Sequence, residues 1–222
     1  LNKKNQIGLG GRGQFILREF YDPFFSCGGQ LFFKKFNFID IGCSRGFFSM
    51  YLLKLKNFKS NGLCIEPLKN AIFDFKKILN INNIKNVKLI NGVISNQSKK
   101  KIPLYRVNEK HGYFSIFKDV RFRDNKLPNK TYVQSYTIDE LIFKYKKLKN
   151  VEFIKIDAEG AEYEILLKGI KTINKFRPII YCEVTRKKKL ILNFFKNKNY
   201  QLFVISNGKI TKLNSKNFEG DL

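Results

Sequence analysis

The chain has 222 residues, 43% of them hydrophobic, which is enough to bury one substantial core but short for two, so a single domain is expected. Lys and Arg total 43 against 18 Asp and Glu, a formal charge of +25, and such a field attracts phosphates, anionic lipid headgroups or acidic glycans. Four cysteines without a CxxC pair or a nearby His cluster exclude zinc-ribbon and redox-dithiol spacings, and no apolar run reaches the ~18 residues of a membrane span.

Residues 1–35, with glycines at 8, 10, 11, 13, 28 and 29, read as a loose N-terminal segment holding one short helix. From Phe36 one domain is expected to run to residue 222, because short β-rich runs then alternate with amphipathic stretches, the pattern of βα units in a parallel sheet. A strand is expected over 36–41, closed by Gly42, and a helix over 47–55. A buried strand follows at 62–65. Pro67 stands where a helix can begin, its missing N–H being harmless in a first turn, and 71–79 continues that helix. A third strand is expected at 87–90.

Between about 95 and 136 the alternation breaks down into an irregular insertion containing Pro103, Gly112 and Pro128, with β-like pieces at 102–107 and 132–136. Insertions of this kind often carry substrate contacts. Regularity resumes at 138–145, a helix with Thr137 as N-cap and Glu140 as its capping-box partner. A strand at 151–156, a helix at 161–168 stopped near Gly169, and a strand at 179–182 after Pro178 follow. Runs at 200–205 and 209–213 flank Asn207-Gly208, a pair that takes the positive φ angles of a type I′ turn. The expected fold is therefore α/β, a parallel sheet ending in one antiparallel hairpin.

Two places carry chemistry. Asp40-Ile41-Gly42-Cys43-Ser44-Arg45-Gly46 lies between the first strand and the first helix, where backbone N–H groups and the positive helix end can hold a polar ligand. A dinucleotide fingerprint counted from Gly42 requires glycines at 44 and 47, but Ser44 and Phe47 stand there. The loop is D-x-G-x-x-x-G, and Asp40 adds a carboxylate suited to a ligand bearing an amino group and a sulfonium. Glu66 ends the second strand 20 residues after Gly46, where a carboxylate can accept both hydroxyls of a ribose.

The second place is the run from Phe153 to Glu164, which puts Asp157 at a strand end and Glu159, Glu162 and Glu164 on the turn into a helix. Dipole complementarity accounts for Glu162 and Glu164. Asp157 and Glu183, at the ends of two strands, fall along the rim where open α/β sheets bind ligands, and carboxylates there can orient a hydroxyl, take its proton or hold a divalent ion. The sole histidine, His111, lies in the irregular insertion; it titrates near neutrality and would suit general-base work if it reached the crevice. No metal site is expected.

Phe38-Ile39-Asp40-Ile41-Gly42 through Gly46-Phe47-Phe48-Ser49, Ile65-Glu66-Pro67, Thr137-Ile138-Asp139-Glu140-Leu141 and Ile154-Lys155-Ile156-Asp157-Ala158-Glu159-Gly160-Ala161-Glu162 together resemble, in order and spacing, the FkbM family of methyltransferases. The resemblance covers residues 36–183. It implies a Rossmann-like class I methyltransferase fold with a mostly parallel seven-stranded sheet, and S-adenosyl-L-methionine as cofactor. It further implies that the loop from Asp40 through Gly42, Ser44 and Gly46 to Phe47 holds the methionine part. Glu66 and Pro67 then face the ribose, Asn91 and Val93 lie near the adenine, and Asp157 lies beside the transferred methyl. Cys43-Ser44-Arg45 departs from the family's usual Ala-Asn pattern, Val93 replaces a small Ala, and Arg45 is expected to point outward.

The function expected is O-methylation of a hydroxyl on a sugar, glycan or other small metabolite, with Asp157 positioning or deprotonating the acceptor and Glu159, Glu183 and His111 assisting. A phosphorylated glycan, a lipid headgroup or RNA is the anionic partner suggested by the charge. The cysteines suggest the cytoplasm, with the membrane surface as an alternative place of action. Two other readings remain: a nicotinamide-dependent oxidoreductase, and a basic RNA-binding or RNA-methylating protein.

Overall fold

The computed structural model describes residues 13–14, 37–55, 60–108, 113–118, 130–206 and 209–213. Its centre is a sheet in the order β1-β10-β9-β2-β3-β4, formed by β1 (Gly13–Gln14), β2 (Phe38–Ile41), β3 (Gly62–Glu66), β4 (Val87–Asn91), β9 (Phe153–Ile156) and β10 (Ile179–Val184). All neighbours are parallel except β1, which pairs antiparallel with Glu183 and Val184. β2, β3 and β9 are buried throughout, as a parallel sheet covered on both faces requires.

Alternation along these strands assigns the two faces. Phe38, Cys64, Phe153 and Tyr181 pack with Phe48, Leu52 and Leu53 of α1 (Phe47–Leu55) and with Phe75 and Leu79 of α2 (Lys69–Ile81). The opposite face, with Ile39, Ile41, Leu63, Ile65, Ile154 and Ile156, is covered by α3 (Ile138–Lys144), α4 (Glu162–Leu167), α5 (Ile170–Phe176) and α6 (Lys188–Lys196). In register, Asp40 on β2 lies opposite Lys155 on β9, so two charged side chains share a largely apolar face.

The expected capping box is present: Thr137 accepts from the Glu140 N–H, and the Glu140 carboxylate accepts from the Thr137 N–H. A helix that the sequence pattern does not announce, α5, starts just past Gly169 because Asp139 of α3 accepts from Lys171 N, Thr172 N and Thr172 Oγ1.

Among the described residues the sheet has six strands, against the seven expected, and the closing hairpin is not part of it. β11 (Phe203–Ser206) and β12 (Lys209–Lys212) pair with each other as a separate two-stranded sheet, while β1 takes the edge of β10. The turn residues 207–208 lie outside the described residues, as do nearly all of the N-terminal 35. The segment expected to be irregular forms a four-stranded sheet, β5-β8-β6-β7, from β5 (Val93–Ile94), β6 (Lys101–Asn108), β7 (Tyr113–Ser115) and β8 (Lys130–Tyr136). Its inner face, with Ile102, Leu104, Val93 and Val133, packs toward Leu68, Phe114 and Ile116.

Gly46 has φ +81, and a Cβ there would lie 2.2 Å from the Phe75 ring. Gly46→Ala therefore combines left-handed strain with overpacking and is expected to cost about 3 kcal/mol. For a chain of this size that corresponds to a fall in thermal midpoint of roughly 6–12 °C, measured by circular dichroism; an unchanged midpoint would contradict the packing described.

Candidate active site

The parallel strands end on one rim, and a close main-chain contact brings two of their loops together. Gly42 has φ +77, and a Cβ at this position would lie 1.9 Å from the Asp157 carbonyl oxygen, so only glycine lets the turn after β2 lie against the turn after β9. Asp157 N donates to Ile41 O at 3.0 Å, and Gly42 N and Cys43 N both donate to Ile65 O. Three strand ends are thereby tied together at the rim.

Glu66 closes β3, buried but for 6% of its surface. Ser44 N donates to its Oε2 and Leu68 N to its Oε1, each at 2.9 Å. Burial pushes this carboxyl above its ordinary value, while the two N–H groups pull it back. Asn91 sits beneath: its Nδ2 donates to Glu66 O at 3.1 Å and Pro67 O at 2.8 Å.

Beside Glu66 opens a cavity of about 220 Å³. It brings together Gly42, Ser44, Glu66, Pro67, Val93, Asp157 and Glu159 of the residues anticipated from sequence, and Leu104 and Phe114 of the second sheet, with Ile116 just past β7, form an apolar wall. Asp40, Gly46, Phe47, Asn91 and Glu183 do not line it. Asp40 is fully buried, accepting from Ser49 Oγ at 2.6 Å. Phe47 is 72% exposed on α1, Asn91 braces the chain around Glu66, and Glu183 lies where β10 pairs with β1. His111 lies outside the described residues. Arg45 does point outward, paired with Asp74 at 2.9 Å.

Sequence reasoning gave no role to Lys155. Its Nζ donates to Gly42 O at 3.1 Å and to Asp157 Oδ2 at 3.2 Å, and it lies 3.5 Å from Asp40 Oδ1. Burial alone would lower this ammonium, but the charges of Asp40 and Asp157 outweigh it and hold the group above its ordinary value. Asp40 is raised by burial against the opposing pull of Lys155 and Ser49. The signal was available: a lysine between two isoleucines in an otherwise apolar strand needs buried countercharges.

Under the Asp157–Gly160 turn, Glu162 is wholly buried; its Oε1 accepts from Gly160 N at 2.8 Å and its Oε2 from Thr185 Oγ1 at 3.3 Å. Burial pushes its carboxyl up to about 7. Next to it Lys187 pairs with Glu164.

Residues 40–202 match the family described as Methyltransferase FkbM domain. The chain belongs to that family. Among curated proteins none matches it. The FkbM methyltransferase structure from Methylobacillus flagellatus KT superposes with a TM-score of 0.60 at 16% identity, covering 86% of this chain and 46% of that one. This FkbM chain thus spans less than half the length of that protein. SMU.1697c of Streptococcus mutans, solved in complex with SAH, gives a TM-score of 0.46 at 15% identity, covering 86% and 98% of the two chains. At these identities the likeness concerns the fold alone. Membership of a methyltransferase family removes the ground for the oxidoreductase reading.

The raised Glu162 makes the stability of this FkbM domain depend on pH. The folded state keeps the proton to about pH 7, whereas the unfolded chain releases it near the ordinary glutamate value of 4.5, so this group's favourable contribution is complete below 4.5 and is lost as pH rises to 7. The wild type should lose stability relative to Glu162→Gln, whose carboxamide oxygen can still accept from Gly160 N, by on the order of 3 kcal/mol across that window. Urea melts of both proteins at pH 5 and pH 7.5 measure it, and parallel curves would refute the assignment.

Proposed function

We propose that this chain is an S-adenosylmethionine-dependent O-methyltransferase whose acceptor is a hydroxyl of a sugar, glycan or other small metabolite. The observation that carries the reading is that the Glu66, Asp157 and Glu159 side chains border a single cavity at the strand ends, within a chain of a methyltransferase family.

The residues present fit the cofactor. Each Glu66 oxygen accepts one backbone N–H and keeps lone-pair capacity for a ribose diol. Ile65, Val93, Ile94 and Leu104 offer apolar surface suited to a flat base. Among the described residues, Glu66, Asp157 and Glu159 line the cavity and no lysine or arginine does, which favours a cationic ligand. When bound, S-adenosylmethionine supplies a methyl group on a positively charged sulfur, so that the leaving group is a neutral thioether.

The protein's own work is alignment and proton handling. Glu66 and the Gly42–Ser44 main chain hold one partner, and Asp157 orients the acceptor hydroxyl and takes up its proton. Glu159, on the same cavity, is placed to assist. The apolar wall from the second sheet keeps water from competing with the acceptor oxygen.

The test is transfer of radiolabelled methyl to a panel of neutral sugars, phosphorylated sugars, lipid-linked glycans and RNA. Label should enter the hydroxylated small molecules. Asp157→Ala should lower kcat by about 100-fold or more with little change in cofactor Kd, whereas Glu66→Ala should raise that Kd by roughly tenfold or more. Label entering RNA alone, or undiminished turnover in Asp157→Ala, would overturn the proposal.

A further inference from the structure

We propose that Lys155 is a positioning residue for methyl transfer, orienting the Asp157 carboxylate and tethering it to the main chain of the loop after β2. The inference rests on the methyltransferase reading of the site, since it concerns what prepares Asp157 for the acceptor.

The geometry separates this role from simple charge neutralisation. Asp40 lies opposite Lys155 in register and is fully buried, so it is the natural countercharge, and a purely structural ion pair would close on it. The pair is present but does not tighten to a hydrogen bond: Asp40 Oδ2 is taken by Ser49 Oγ at 2.6 Å, and Oδ1 stands 3.5 Å from the ammonium, within ion-pair reach but without a hydrogen bond. Lys155 Nζ instead leans to the rim, with its hydrogen bonds going to Gly42 O at 3.1 Å and Asp157 Oδ2 at 3.2 Å. The Phe48 ring, centred 5.8 Å from Nζ, lies within cation–π range.

Two consequences follow from that placement. The Asp157 side chain is 32% exposed, and a partly exposed carboxylate on a turn samples several rotamers unless one oxygen is tied down. Lys155 ties Oδ2 of a residue that lines the cavity, leaving Oδ1 outside this bond. The same ammonium also holds the Gly42 carbonyl, so the turn that borders the cofactor side and the carboxylate that meets the acceptor share one anchor. A displacement of either is felt by the other through a group that is only 10% exposed.

Lys155→Met alone leaves Asp40 buried without a cation and can unfold the protein, so the informative variant is Asp40→Asn with Lys155→Met, which removes the buried charge together with its partner while keeping an acceptor for Ser49. The first readout needs no substrate: amide hydrogen exchange followed by mass spectrometry. Peptides covering Gly42–Ser44 and Asp157–Gly160 should exchange at least tenfold faster together, with the β3 and β4 peptides unchanged. Protection unchanged in both turns would overturn the tether.

The second readout is a mutant cycle in methyl transfer. In the Asp157-containing protein the pair of substitutions should lower kcat at least tenfold while calorimetric binding of S-adenosylhomocysteine stays within about threefold of wild type. In an Asp157→Asn background the same pair should lower kcat less than twofold, because a residue acting through Asp157 has nothing left to act on. Equal losses in both backgrounds, or loss confined to cofactor binding, would overturn the role. A wild-type protein that binds cofactor but labels no hydroxyl would fail the functional reading instead, and the exchange measurement would still decide the tether.

Discussion

An ammonium group buried beside one carboxylate and hydrogen-bonded to another is the constraint around which the rim is arranged. Removing Lys155 and Asp40 from water costs several kcal/mol per ion before their attraction returns any of it, and well-packed apolar side chains would serve the stability of a central strand as well or better. The charges therefore say little about why the sheet is stable. They say a good deal about why its upper edge has one arrangement: β2 and β9 must be adjacent and in register for Asp40 to stand opposite Lys155, and Gly42 must lack a side chain for its turn to reach the Asp157 carbonyl.

That constraint was half legible in the sequence. The βα alternation from β2 to α2 and the helix opened by Thr137 were readable because their signals are local: apolar runs closed by glycine, a capping box, helical spacing. The carboxylates Glu66 and Asp157 were readable from their places at strand ends. Lys155 was hidden in plain view, since a strand read only for its apolar residues treats the odd lysine as noise, and its meaning depends on Asp40, which comes from a different βα unit.

What could not be read is what distant segments decide. α5 begins where it does because Asp139 of α3 accepts from its first N–H groups, and residues 170–176 carry no capping residue of their own. The hairpin stays off the main sheet while Gly13 and Gln14, from the far end of the chain, occupy the β10 edge. The second sheet was obscured by its strand lengths: β5 has two residues and β7 three, too few for a period of two to declare itself, and β6 shows it only through Ile102 and Leu104 against Lys101 and Pro103.

The two sheets give the cavity opposite electrical surroundings at different distances. The chain as a whole carries +25, yet among the described residues the cavity is bordered by Glu66, Asp157 and Glu159 and by no lysine or arginine. Residues 93–136, the stretch that holds the second sheet, carry ten Lys and Arg against three acidic residues, Glu109, Asp119 and Asp124. At physiological salt, screening cuts off the field of exposed charges beyond about 8 Å, while buried groups are screened far less. A cation inside the cavity is therefore governed by the nearby carboxylates despite the net charge of the molecule, and an anion approaching from outside is governed by the lysines. A sulfonium in the cavity and an anion outside it would thus feel fields that act over separate ranges and do not cancel.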